Sequence, residues 1–247
     1  MAEYKRDRKR VDAALRKSRV VVVMNKAHVE KPEHMVTTMK AVYEAGYVAE
    51  VTFRIDERIL AEAMKELVNL QAAAPADKPF VLGVGSVINP RELDAAIAMG
   101  FDMIVAPASV MGGHGEGLEF VRKCRQANVF CAPAILTPTE LNYFLERPDG
   151  LEPDCIKVFP AGVHGAKGIA DLLAPFERAR HKGKMIMPTG AVNFETGPEF
   201  VKAISGRGFT PVLGMSAPLE VVVQKKKPGD PATIQESLDA FKAKYKW

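Results

Sequence analysis

The stretch VVVVMNKAHVEKPEHMVTTMKAVYEAGYVAEVTF, residues 20–53, reads as strand, helix, strand. Val20 to Met24 and Val48 to Phe53 are apolar runs rich in β-branched residues. A strand covered on both faces reads as such a run, whereas a strand with one wet face alternates. Between the runs, Glu33 to Glu44 carries a helical pattern. Two buried strands joined through a helix form a parallel βαβ unit.

The same unit recurs outward along the chain. Further apolar runs lie at Phe80 to Val84, Met103 to Ala106, Val129 to Ala132, Cys155 to Phe159, Met185 to Met187 and Pro211 to Leu213, which makes eight. Helical patterns fall between them at Arg58 to Ala74, Arg91 to Met99, Gly117 to Gln126, Thr139 to Leu145, Ala166 to Arg178 and Phe194 to Ile204. Eight strand–helix units predict an α/β fold, a (β/α)₈ TIM barrel forming a single domain over residues 1–247. A doubly wound open sheet is the structural alternative, but no GxGxxG turn follows the first strand. Glu3 to Lys17 reads as a helix added before the barrel, and Pro231 to Tyr245 as a C-terminal helical extension. Leu219 to Pro231, with its lysines and prolines, reads as an exposed loop.

Composition narrows the function classes. Of 247 residues, 47% are hydrophobic and 26% charged, as in a globular enzyme with a substantial core. The +4 net charge suits an anionic small substrate. The basic residues gather at Lys5 to Arg10 and Lys225 to Lys227 without interleaved aromatics, so no nucleic acid partner is expected. The apolar runs are too short for a membrane span, and no signal peptide is visible. Cys124, Cys131 and Cys155 form no CxxC pair, which fits reduced thiols in the cytoplasm. The five histidines are scattered with no HxH or HxxxH spacing, so no metal is expected.

Two strands carry side chains that make poor core. In Asp154-Cys155-Ile156-Lys157-Val158-Phe159-Pro160, Cys155, Lys157 and Phe159 share one face. A lysine turned into a packed interior loses hydration; its pKa falls, and the free amine becomes available to attack a carbonyl. Taken alone, Lys157 also fits a strand-end lysine whose head reaches solvent. The second strand shifts the balance: Glu50, Thr52 and Arg54 share a face of an otherwise apolar segment. An internal Glu50–Arg54 ion pair is disfavoured, because residues four apart in a strand are about 13 Å apart. Arg recognises carboxylates through paired hydrogen bonds, and a confined Glu can carry protons. Other strand ends bear small or polar residues: Gly83-Val84-Gly85-Ser86, Pro107, Pro188-Thr189-Gly190-Ala191 and Gly214-Met215-Ser216. The loops after strands seven and eight of such barrels often bind phosphate.

These motifs, in this order, resemble the class I 2-keto-3-deoxy-6-phosphogluconate (KDPG) and 2-keto-4-hydroxyglutarate (KHG) aldolases. The resemblance runs from about Val20 to Ser216. Glu50-Val51-Thr52-Phe53-Arg54 is similar to the family's Glu-Val-Thr-x-Arg, and Gly83 to Pro90 to its Gly-Ala-Gly-Thr-Val-x-Asn-Pro. Lys157-Val158-Phe159-Pro160-Ala161 is similar to Lys-x-Phe-Pro-Ala, and Pro188 to Val192 to Pro-Thr-Gly-Gly-Ile. The resemblance implies a homotrimeric barrel that needs no cofactor or metal and cleaves a 2-keto-3-deoxy (phospho)sugar acid or 2-keto-4-hydroxy acid. The products would be pyruvate and an aldehyde such as glyceraldehyde 3-phosphate or glyoxylate. It implies Lys157 as the Schiff-base lysine and Glu50 as general acid/base. Arg54, Ser86 and Thr189 would bind the carboxylate, with Pro107, Phe159, Gly190 and Ser216 completing the substrate site.

The sequence departs from the pattern at Ser86, at Ala191, where the family has a second glycine, at Met215, and across Met111 to Gly117. A Cβ at 191 and a thioether at 215 are expected to crowd a phosphate nest or rule out its backbone conformation. Two other readings remain. A phosphosugar isomerase or epimerase has no need of Lys157, and an inactive keto-acid-binding barrel has no need to keep Glu50, Arg54 and Lys157 together.

Overall fold

A computed structural model describes residues 6–108, 114–147 and 149–245, with only the backbone course for 114–118. The elements run α1 Arg8–Ser18, β1 Val20–Met24, α2 Pro32–Glu44, β2 Val48–Thr52, α3 Glu57–Ala73, β3 Leu82–Gly85, α4 Pro90–Met99, β4 Met103–Val105 and α5 His114–Gln126. They continue with β5 Phe130–Ala132, β6 Ala134–Ile135, α6 Pro138–Leu145, β7 Cys155–Val158, α7 Ala161–Leu173, β8 Met185–Pro188, α8 Thr196–Ser205, β9 Thr210–Pro211, β10 Leu213–Met215, α9 Glu220–Lys225 and α10 Pro231–Lys244.

All strand pairs are parallel. Two staves are interrupted: β5 and β6 flank Pro133, and β9 and β10 flank Val212. Proline has no N–H for the ladder, but the Pro133 carbonyl accepts from the Lys157 amide (3.0 Å), which ties this stave to β7. β1 pairs with both β2 and β10, and a Thr189–Gly214 bridge joins β8 to β10. The ladders therefore describe eight staves in a (β/α)₈ barrel.

Alternation sorts the buried side chains into two cores. One holds every second strand residue, among them Val21, Val48, Met103, Phe130, Cys155 and Met185, and fills the barrel interior. The other, with Val20, Val51, Val84, Ile156 and Leu213, lies between strands and helices. Helix α1 belongs to the first. Asp7 caps it by accepting from the Lys9 amide, and Val11 and Leu15, four apart on one face, join the interior residues. It plugs the end where the strands begin, and burying Leu15 contributes roughly 1.5–3 kcal/mol.

Three expectations need correction. Leu219–Pro231 is not simply an exposed loop: α9 lies within it, Leu219 and Val222 are buried, and the Val221 amide donates to Ser237 Oγ on α10 (3.1 Å). The helix expected over Ala166–Arg178 starts earlier, at Ala161, breaks at Gly165 (φ 62°, ψ 178°) and ends at Leu173. The helix expected from Gly117 starts at His114. Residues 111–113 of the unusual loop, and residues 3–5 of the expected first helix, lie outside the described residues.

Candidate active site

The parity of the interior core fixes which side chains face the barrel axis. Cys155 belongs to it, so Lys157 points inward one pleat further along β7; Val48 belongs to it, so Glu50 and Thr52 do the same on β2. Lys157 is 4% exposed and Glu50 2%. Lys157 is level with Ala134 and Met187, and Glu50 with Val23 and Gly83. An apolar floor lies beneath both, so their heads occupy the end of the barrel where the strands finish.

Room for the Glu50 carboxyl comes from β3. Its inward positions are Gly83 and Gly85, and a Cβ on Gly85 would fall 1.8 Å from Glu50 Oε1. The carboxyl therefore lies against bare backbone, which explains the Gly-Val-Gly run. Opposite, Lys157 Nζ sits 4.9 Å from the centre of the Phe159 ring, and that ring borders Gly190. Two further hydroxyls, Thr52 Oγ1 and Thr189 Oγ1, are buried without a hydrogen-bond partner. Buried hydroxyls of this kind are costly unless a ligand or water satisfies them.

Electrostatics follow from this burial. Desolvation pushes the Lys157 ammonium below the usual lysine range, against the attraction of Glu50. Desolvation likewise pushes the Glu50 carboxyl up, against the attraction of Lys157. Each group thus feels the other's charge, and burial favours the neutral form of both. The arrangement brings together an amine whose burial favours its uncharged form and a carboxyl able to give or take a proton, which is the equipment for attack on a carbonyl. Among the described residues, no three His, Cys, Asp or Glu side chains gather as a metal site would require.

Arg54 departs from the expected strand face. β2 ends at Thr52: the Phe53 amide makes the last ladder bond to the Gly85 carbonyl (2.7 Å), and the Ile55 amide then closes a turn onto the Thr52 carbonyl (3.2 Å). Arg54 stands on that turn, with 44% of its side chain exposed, and its Nη2 pairs with Glu92 Oε1 rather than with Glu50. Glu92 escaped the sequence reading, although Asn89-Pro90-Arg91-Glu92 has the Asn-x-x-Glu spacing of a helix start.

The remaining residues line the rim. Ser86 follows β3 in the left-handed region (φ 60°), and Pro107 follows β4; both are partly buried, whereas Ser216 is exposed. The crowding expected at positions 191 and 215 is not borne out in two respects. Ala191 adopts the left-handed conformation (φ 58°) beside Gly190 (φ 85°), so the backbone is not excluded. Met215 is buried in the outer core, since strand parity turns it toward the helices rather than the barrel axis. Of these two positions, the Ala191 Cβ remains as a difference near the mouth, packed against Gly162.

Known proteins share the fold. The chain is 28% identical over 167 residues to the KHG/KDPG aldolase of Escherichia coli strain K12, covering 67% of each. Its fold matches the KDPG aldolase from Legionella pneumophila with pyruvate captured at low pH as a covalent carbinolamine intermediate. The TM-score is 0.68 at 19% identity, over 93% of this chain and 96% of that one. It also matches the 2-keto-3-deoxy-6-phosphogluconate aldolase of Zymomonas mobilis ZM4 with 3-phosphoglycerate, with a TM-score of 0.68 at 22% identity, over 94% and 95% of the two chains. The model of the aldolase family described as KDPG and KHG aldolase matches residues 11–213. The chain belongs to that family, the class I aldolases that cleave carbon–carbon bonds, and the isomerase and inactive-barrel readings are set aside.

Proposed function

We propose that Lys157 is the Schiff-base lysine of this aldolase, Glu50 its general acid/base, and Arg54 the anchor for the substrate carboxylate. The observation that carries the reading is the burial of an amine and a carboxyl together above the apolar floor of the barrel. The neutral Lys157 amine attacks the C2 carbonyl of a 2-keto acid, and the carbonyl oxygen leaves as water to give an iminium. Glu50 takes the proton from the 4-hydroxyl. The C3–C4 bond breaks, its electron pair flows to the iminium nitrogen, and the aldehyde departs. Protonation of the enamine and hydrolysis then release pyruvate and restore the amine.

Thr189 and Ser86 supply hydroxyls for the carboxylate end. Phe159 and Pro107 supply apolar walls, and Gly190 and Ser216 lie toward the aldehyde end. The aldehyde half is assigned by comparing cleavage of phosphorylated and unphosphorylated 2-keto-3-deoxy acids. The protein acts as a single-domain homotrimer in the cytoplasm; no described helix is long and apolar enough to cross a membrane. Incubation with pyruvate, borohydride reduction and peptide mass analysis test the central step. The adduct is expected on Lys157 and absent from Lys157→Met; an adduct elsewhere, or none, refutes the assignment.

A further inference from the structure

We propose that Glu92 is a positioning residue that orients Arg54 toward the carboxylate of the 2-keto acid, and so sets affinity for that end of the substrate. The inference rests on the reading of Arg54 given above. Glu92 is held from three sides at the start of α4. Its amide donates to the capping Asn89 Oδ1 (2.9 Å), its Oε2 accepts from the Ile88 amide (3.0 Å), and its Oε1 meets Arg54 Nη2. Only 6% of its side chain is exposed, against 44% for Arg54. The carboxylate is thus the fixed partner and the guanidinium the adjustable one.

Arginine carries five donors in a planar fork, so contact through Nη2 leaves Nη1 and Nε able to meet a carboxylate. A second acid, Glu57 on α3, feels the Arg54 charge, but Arg91 already holds it through two hydrogen bonds of 2.6 and 3.1 Å. Glu92 is therefore the acid that decides where Arg54 points. The segment from the end of β3 into α4 then serves the site twice: Gly85 makes room for the Glu50 carboxyl, and seven residues later Glu92 aims Arg54. A long side chain on an exposed turn without this tether would spread over solvent-facing rotamers, and ordering it again would weaken binding.

The test uses full-length Glu92→Ala, Glu92→Gln and Arg54→Ala proteins. Borohydride trapping on Lys157 is followed by intact mass over a range of pyruvate and, separately, of acetone, a ketone without a carboxylate. Glu92→Ala is expected to raise the half-saturating pyruvate concentration about tenfold, equivalent to about 1.4 kcal/mol, and to leave acetone trapping within about twofold. Glu92→Gln, which keeps an acceptor oxygen, falls between wild type and Glu92→Ala. Arg54→Ala weakens pyruvate at least as much as Glu92→Ala, again sparing acetone. The proposal is overturned if Glu92→Ala leaves half-saturating pyruvate unchanged or lowers it, or weakens pyruvate and acetone alike, while Arg54→Ala weakens pyruvate alone. If Arg54→Ala also treats the two ketones alike, the carboxylate role of Arg54 falls and the Glu92 proposal with it.

Discussion

Replacing Gly85 by alanine should damage catalysis far more than folding. The new Cβ would lie 1.8 Å from Glu50 Oε1, 2.5 Å from its Cδ and 3.2 Å from its Cγ. Normal carbon–oxygen contact needs more than 3 Å, so the carboxyl must retreat by roughly 1.5 Å, within a barrel end where Glu50 is 2% exposed. The obstacle is the end of a side chain and not backbone, so rotamer adjustment absorbs much of the clash. Overpacking of this kind costs about 1–3 kcal/mol of stability. A 1 Å misplacement of a reacting group costs about 10²-fold in rate. Retro-aldol turnover per folded molecule should therefore drop about 10²-fold, measured beside urea unfolding. Gly83→Ala is the control: its Cβ would strike the Ala49 carbonyl oxygen and the Met103 methyl, both at 2.5 Å, and would meet Glu50 first at its Cα (3.3 Å) and not at the carboxyl. If both variants lose the same activity per folded molecule, or if Gly85→Ala keeps wild-type turnover, the placement of Glu50 against Gly85 does not govern catalysis.

Two further outcomes follow from the same geometry. Burial holds Lys157 below the usual lysine range, and the Glu50 charge pulls it back up. Trapping of pyruvate should thus slow as pH falls through that lowered value, with its limb below the ordinary lysine value of about 10.4. Glu50→Gln removes the upward pull and moves the limb to lower pH; a limb at the ordinary value, or one that moves up in Glu50→Gln, contradicts the electrostatic account. Leu15→Ala opens the floor of the barrel and should cost about 2–5 kcal/mol in urea unfolding. It should leave the trapping limb in place, because the Cys155 and Met185 layer separates Leu15 from Lys157; a shifted limb would mean that water reaches the amine from below.

Much of the barrel was legible because its strands are buried on both faces, and such strands advertise themselves as apolar runs. Lys157 and Glu50 were legible for the converse reason, as charged residues interrupting those runs at fixed parity. What escaped notice depends on contacts between distant segments. Arg54 looked like a strand residue, since the apolar pattern does not announce that the Ile55 amide will close a turn onto the Thr52 carbonyl. Glu92 looked like a helix-start residue, which it is; its hold on Arg54 arises only when β2 and β3 lie side by side. Helix α9 was hidden by the Lys225–Lys227 run at its end, because Val222 finds its burial only against the rest of the fold. Met215 misled through its neighbours: its place in a loop-like motif suggested the substrate, while strand parity sends it outward.

The proposed roles of Lys157 and Glu50 are linked by one environment acting in opposite directions on two groups. Before substrate enters, burial favours free amine and protonated carboxyl. That pair is suited to the first step, in which an amine must attack and the departing oxygen must gain protons. Once the iminium forms, the Lys157 nitrogen carries a positive charge for as long as it keeps its single N–H proton. That charge beside Glu50 now favours the ionised carboxylate, because an opposite charge in a poorly solvated site lowers a carboxyl pKa. The acid of the first step thereby becomes the base of the second, ready for the proton of the 4-hydroxyl. Departure of the aldehyde converts the iminium to a neutral enamine, withdraws the positive charge, and returns Glu50 to the protonated form needed to deliver a proton to carbon. The apolar floor that stabilises the fold thus also sets the order of proton transfers, since a solvated pair would respond too weakly to the changing charge at Lys157.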